Sequence, residues 1–163
     1  MRILGIDPGY GIVGYGVVES DGFSHRLVDY GTITTSKEES ISTRLSIIYN
    51  AMRALLEKFK PDAVAIEELF YFRNQTTIIP VAQARGVIVL AANEFCSELF
   101  EYTPLQIKQA LTGHGRAEKK QVQFMVKNIL GLEKTPKPDD AADALAVAIC
   151  HSQINPQLNV NRM

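Results

Sequence analysis

Ile3-Leu4-Gly5-Ile6-Asp7-Pro8-Gly9 is an apolar run that ends in an acid and then in two residues that break a strand. Such a run reads as a buried strand delivering its carboxylate at its carboxyl end, with Pro8-Gly9 turning the chain back. The pattern recurs in Ala63-Val64-Ala65-Ile66-Glu67-Glu68. A third acidic stretch, Asp140-Ala141-Ala142-Asp143-Ala144-Leu145-Ala146, has helical spacing, which sets Asp140 and Asp143 on one face. Each acid stands where hydrophobic burial disfavours one. Gathered into one site, Asp7, Glu67, Asp140 and Asp143 repel one another and need a cation between them. Oxygen donors with no His or Cys beside them select Mg²⁺ or Mn²⁺, and those ions serve phosphate chemistry above all.

The residues around these acids predict one α/β domain. Arg2 to Asp7 is the first strand, Gly14 to Glu19 the second and Phe23 to Thr34 the third, an antiparallel meander with a turn at Asp21-Gly22. Leu45, Ile48, Met52, Leu55, Leu56 and Phe59 recur at helical spacing, after N-cap candidates between Ser36 and Ser42 and before the stop at Lys60-Pro61-Asp62. A strand over Ala63 to Glu67 that follows a helical crossover should lie parallel to the first. Alternation then puts Gly5, Asp7, Ala65 and Glu67 on one side and Leu4, Ile6, Val64 and Ile66 on the other. The small residues beneath the two acids are expected to leave room for ions and water, and parity selects Glu67 over Glu68.

Farther on, a long helix is predicted from Thr76 to Cys96, with Pro80 in its first turn. Its face of Ala84, Val87, Ile88 and Ala91, with Gly86, is small and apolar enough to pack on the sheet or on a second subunit, and Ala84, Val87 and Ala91 are the expected subunit contact. Leu99 to Tyr102 reads as a fifth strand, Pro104 to Leu111 and Glu118 to Leu130 as helices, and Asp139 as the cap of a last helix ending near Ser152. Residues 1–152 thus read as a single domain, and 153–163 as a flexible tail.

At 163 residues the chain buries a core without disulfides. Cys96 and Cys150 lack CxxC spacing and read as buried free thiols of a reducing, cytoplasmic compartment. No apolar stretch is expected to cross a membrane. A net charge of −1 argues against nucleic acid as a partner until its distribution is considered. Between Thr103 and Lys137, seven basic residues (Lys108, Arg116, Lys119, Lys120, Lys127, Lys134 and Lys137) face only Glu118 and Glu133. A basic lobe beside an acidic pocket suits an enzyme that holds a phosphate backbone while metals do the chemistry, although a solvated helix face explains the charge alone equally well.

Read singly, Asp7 could shape a turn, and Asp139 and Asp140 could favour a helix dipole. Glu67 at the end of a buried strand and Asp143 a full turn inside an Ala-rich helix have no such explanation. The glycines after Asp7, at Gly9, Gly11, Gly14 and Gly16, make a hairpin whose backbone can approach a ligand. His25, His114 and His151 read as structural or solvated, with His114 near enough to the basic lobe to touch a phosphate. Phe70-Tyr71-Phe72-Arg73 is either a core plug or a tongue able to stack on unpaired bases.

Taken in order, Ile6-Asp7-Pro8-Gly9, Ala65-Ile66-Glu67, Gln83-Ala84-Arg85-Gly86-Val87-Ile88-Val89-Leu90-Ala91-Ala92, Glu101-Tyr102-Thr103-Pro104, Ala117-Glu118-Lys119-Lys120-Gln121-Val122 and the Asp140 to Ala146 segment resemble the RuvC family of Holliday junction resolvases. The resemblance implies a ribonuclease H-like fold, a five-stranded mixed sheet flanked by helices. It implies metal ligands at Asp7, Glu67, Asp140 and Asp143, and it alone separates Asp140 from Asp139, which shares the face of Asp143 at spacing four. It lends Phe70 a place at the junction centre and turns Lys108 and Lys119 towards DNA, with Lys120 as substitute for Lys119 and Arg116 in the same basic lobe. It further implies a homodimer that nicks two opposed strands of four-way junction DNA in recombination and repair, beside a RuvA-RuvB branch-migration complex, with two Mg²⁺ ions per site and 5′-phosphate and 3′-hydroxyl products.

Two other readings share these residues. An Asp-x-Gly strand and turn also opens actin-like ATPases and sugar kinases, which need a duplicated domain that 163 residues cannot hold. A nuclease acting on an RNA–DNA hybrid, or a silent nucleic-acid-binding member of the fold, would keep the architecture and change the substrate or the chemistry.

Overall fold

A computed structural model describes residues 1–69, 78–96, 98–154 and 161–163. Its sheet has the order β3-β2-β1-β4-β5, built from β1 (Arg2–Asp7), β2 (Ile12–Ser20), β3 (His25–Thr34), β4 (Ala63–Glu67) and β5 (Leu99–Tyr102). The first three strands form an antiparallel meander, whereas β4 and β5 join parallel to β1. β2 starts earlier than predicted because Ile12 pairs with Thr34 and the Thr35 amide donates to Gly11 O.

Strand alternation sorts the core into two layers. Leu4, Ile6, Val64 and Ile66 pack with Ile48, Met52 and Leu56 of α1 (Ile41–Phe59) and with Ala84 and Ile88 of α2 (Ile78–Phe95). Ile3, Ala63 and Ala65 face the other way, towards α3 (Pro104–Thr112), α4 (Lys119–Ile129) and α5 (Asp139–Gln153). α1 begins where the Ser40 hydroxyl accepts from the Thr43 amide, and it ends at Lys60, whose φ of 45° is left-handed. α3 opens with a capping box between Thr103 and Gln106.

Three expectations need correction. The Ala84 and Ala91 side of α2 is wholly buried in the chain's own core, so it is no subunit contact; Ile79 and Leu90, on the opposite side, are 67% and 55% exposed. α2 is also, at 18 residues and a mean hydropathy of 1.3, long and apolar enough to cross a membrane by length and composition, contrary to the sequence reading. Its core packing and the Arg85–Glu101 ion pair in its middle mark it as a sheet-covering helix. Asp139 is the first residue of α5 and not its cap, because its carboxylate is bound to Lys137. At the described end of the chain, the Glu101 amide donates to Asn161 O, the Met163 amide to Leu99 O, and Arg162 pairs with Glu98.

Candidate active site

The parallel register aligns Gly5 with Ala65 and Ile6 with Ile66, so Asp7 and Glu67 emerge side by side from the carboxyl ends of β1 and β4. They lie close enough for the charge of Glu67 to bear on Asp7. α5 crosses directly above them, and the reason is glycine. A Cβ on Gly5 would lie 2.1 Å from Ala144 O, and one on Gly14 would lie 2.0 Å from Asp140 O. Gly5, Gly14 and Gly16, read as room for ligand and water, are therefore occupied by α5, which this close approach brings down onto β1 and β2. Asp143 and Asp140 reach Asp7 by that means.

A cleft of about 390 Å³ opens at this point. Asp7, Glu67 and Asp143 supply its acids, Lys108 and Lys119 its cations, and Pro104, Ile107, Val122 and Ala146 its apolar wall. Lys119 Nζ donates to Asp143 Oδ2 at 2.8 Å and lies 3.8 Å from Asp139 Oδ2. Glu68 is not part of the lining; its amide instead donates to Tyr102 O. Asp140 does not line the cleft, but its charge bears on Asp7 and Asp143. Asp139 is turned towards Lys137, at 2.7 Å.

Burial raises the Asp7 carboxyl well above its usual range, and the charges of Glu67, Asp143 and Asp140 push it further against the pull of Lys119. Burial and the Asp143 charge raise Glu67 likewise, opposed by the Asp7 hydrogen bond, Lys119 and Lys108. Asp143 is raised by burial although Lys119 counters it. Burial works against the Lys119 ammonium, but the hydrogen bond and charge of Asp143, with Asp139 and Asp7, hold it above its ordinary value. Crowded carboxylates that resist ionisation are what a divalent cation would relieve, and an all-oxygen donor set without His or Cys fits a hard ion. Among the described residues, no three acids are drawn tightly enough to encircle one ion, and Lys119 is bonded to Asp143 Oδ2.

The remaining predicted positions separate. Lys120 faces away, towards a second hollow lined by Thr112, Gln121, Phe124 and Met125. Arg116 is exposed on the loop before α4, where its amide donates to His114 Nδ1. Phe70 lies outside the described residues. His151 is buried, hydrogen-bonded to the Tyr102 hydroxyl at 2.7 Å and packed on the Phe100 ring. Sequence reasoning missed the apolar wall of the cleft and the pairing of Lys119 with Asp143, because both bring together segments with no sequence spacing in common.

A family model for crossover junction endodeoxyribonuclease RuvC matches residues 3–151. The crossover junction endodeoxyribonuclease RuvC of Alkaliphilus metalliredigens is 57% identical over 152 residues, covering 93% of this chain and 93% of the relative. That of Fusobacterium nucleatum is 54% identical over 151 residues, covering 93% and 80%. Among solved structures, Thermus thermophilus RuvC superposes with a TM-score of 0.91 at 38% identity over 100% of both chains. The same protein in complex with a Holliday junction substrate gives 0.93 at 37% identity, over 100% of this chain and 99% of that one. A yeast mitochondrial Holliday junction resolvase, only 16% identical, shares the fold with a TM-score of 0.68 over 93% of this chain and 79% of its own. The fold is the ribonuclease H-like one expected, a five-stranded mixed sheet flanked by helices.

Proposed function

The chain belongs to the RuvC family of crossover junction endodeoxyribonucleases, and from that premise we propose that it resolves four-way DNA junctions by paired, symmetric nicks in recombination and repair. One observation carries the reading to this chain's own residues: Asp7, Glu67 and Asp143 meet in one cleft, with Lys108 and Lys119 on its rim. Asp7, Glu67, Asp140 and Asp143 are the residues that would hold metal. The metal is Mg²⁺, with Mn²⁺ as a substitute. Held there, such metal would supply a water made nucleophilic near neutral pH and a counter-charge for the leaving oxygen.

The chain's residues contribute position and charge. Asp7 and Glu67 sit on strands at the centre of the sheet, which limits their motion to side-chain rotation. Lys119 is held at Asp143 only while no stronger cation competes, and once displaced it is available to a DNA phosphate. Lys108, already on the rim, approaches the backbone from the opposite side, while Lys120 and Arg116 contact DNA farther along the basic lobe. Phe70 is assigned to the junction centre by family resemblance. The products carry 5′-phosphate and 3′-hydroxyl ends.

Two equivalent strands related by a two-fold axis call for two active sites, hence a homodimer. Its contact is the exposed apolar side of α2, with Ile79, Ala82, Gly86 and Leu90. The RuvA-RuvB branch-migration complex is the expected partner upstream. Buried free thiols at Cys96 and Cys150 fit action in the reducing cytoplasm. The proposal is tested by incubating Asp7→Asn and Asp143→Asn with a synthetic four-way junction in Mg²⁺. Cleavage should fall by at least about 10³-fold, as expected for loss of metal-centred transition-state stabilisation, while junction binding holds or tightens. Cleavage at the normal rate by Asp7→Asn would overturn the site.

A further inference from the structure

Arg44 occupies a position where the pattern of α1 demands an apolar residue. The buried row of that helix runs Arg44, Ile48, Met52 and Leu56 at spacing four, and Arg44 itself is 7% exposed. Among the described residues no carboxylate lies within ion-pair distance of it. A guanidinium buried without a counter-charge is costly, so its neutral contacts must give it a specific geometry.

Those contacts all converge on the hairpin that follows Asp7. Arg44 Nε donates to Thr35 Oγ1 at 2.8 Å, and Nη2 donates to Tyr10 O at 3.4 Å. The guanidinium carbon lies 3.5 Å from the centroid of the Tyr10 ring. Thr35 closes the circuit: its hydroxyl donates to Tyr10 O at 2.8 Å and its amide to Gly11 O at 2.9 Å. Residues 8–11 have no sheet ladder of their own between β1 and β2. This clamp grips both carbonyls of Tyr10-Gly11 and the Tyr10 ring from α1 and from the end of β3.

We infer that Arg44 is a positioning residue for junction cleavage, acting through the Tyr10-Gly11 hairpin to fix the backbone from which Asp7 is presented. A planar fork that stacks and donates in two directions can do this; a lysine has the charge without the geometry. Orientation errors of about 1 Å at a reacting group cost on the order of 10²-fold in rate, so a loosened hairpin should be visible in catalysis before it is visible in binding.

The inference rests on the proposed nuclease activity, and wild-type cleavage of the same synthetic junction is the control that separates the two. Arg44→Lys, Arg44→Met and Thr35→Val are compared with wild type in three measurements: single-turnover cleavage at saturating enzyme, junction affinity across a salt series, and Tm. All three variants should cut at least about tenfold more slowly at saturation, with affinity and salt slope unchanged within about twofold. Arg44→Met combined with Thr35→Val should be no slower than the worse single variant, since both break one clamp. Normal single-turnover rates in Arg44→Met and Thr35→Val would overturn the inference. So would a salt slope reduced by about 0.9 with an unchanged saturated rate, which would make Arg44 a direct phosphate contact. If Arg44→Met fails to fold, Thr35→Val and Arg44→Lys still decide the question.

Discussion

Without a cation, Asp7 and Glu67 compete for ionisation in one buried pocket, and the chain holds a proton there that the unfolded polypeptide would release. Their ordinary values are 3.8 and 4.5, and both are raised on folding. The folded chain therefore binds more protons than the unfolded one from about pH 4 towards neutrality, and stability falls as pH rises through that window. Asp7→Asn removes the conflict. Metal-free Asp7→Asn should be more stable than wild type at pH 8 by about 1 to 3 kcal/mol, roughly 2 to 10 °C in Tm, and the two should converge near pH 4. Millimolar Mg²⁺ should raise the wild-type Tm and leave that of the variant nearly unchanged. A variant that melts below wild type at pH 8 would mean that the carboxylate is satisfied without metal. At this scale, strand parity was enough to place Glu67 in the cleft and Glu68 outside it. Asp139 and Asp140 were inseparable from spacing alone, since positions three and four apart from Asp143 share its face. Their different surroundings emerge only with the Lys137–Asp139 pair. Arg44 was illegible for a related reason, because its partners come from two other segments of the chain.

Strands are positioned by periodicity, but the approach of α5 to the sheet is set by what β1 and β2 lack. Gly5, Gly14 and Gly16 form a track without side chains, and the Ala-rich helix settles into it, with Leu145 over Gly16. The sequence advertised these glycines clearly while leaving their use ambiguous, since a bare backbone serves a ligand and a helix equally. Gly14→Ala would place its Cβ 2.0 Å from Asp140 O, a backbone atom that cannot swing aside. It should lose about 1 to 3 kcal/mol of stability and most of its cleavage, because α5 must lift and carry Asp140 and Asp143 with it. Gly86 provides the contrast within α2, since nothing lies within 4 Å of the Cβ it would gain. Gly86→Ala should be neutral or add up to about 1 kcal/mol to the monomer, as thermal melting at low protein concentration would read. Equal losses at both positions would detach the site from the glycine track.

On the scale of the whole molecule, the chain is asymmetric: acids at one end of the sheet, lysines of α3 and α4 beside them, and an apolar helix face turned outwards on α2. Of α2 only Ala84, Ile88, Ala91 and Ala92 are fully buried, which is little for so apolar a helix. Its inward side was predicted as the subunit contact because small residues suit either kind of packing. The core claimed that side, leaving Ile79 and Leu90 outside. Leu90→Asp should convert the proposed homodimer into a monomer by equilibrium sedimentation, with junction resolution falling to single nicks and the fold intact by circular dichroism. A monomeric wild type would contradict that assembly. The overall architecture was legible because every strand and helix announces its own period and its stops. What periodicity omits is the substrate, since the acids specify phosphodiester cleavage and say nothing of the shape of the nucleic acid. The most direct test is a side-by-side cleavage assay in Mg²⁺ on a synthetic four-way junction, a plain duplex and an RNA–DNA hybrid of matched sequence. Paired nicks at symmetric positions in the junction, with the duplex and hybrid left intact, are predicted; a hybrid cut faster than the junction would contradict the resolvase assignment.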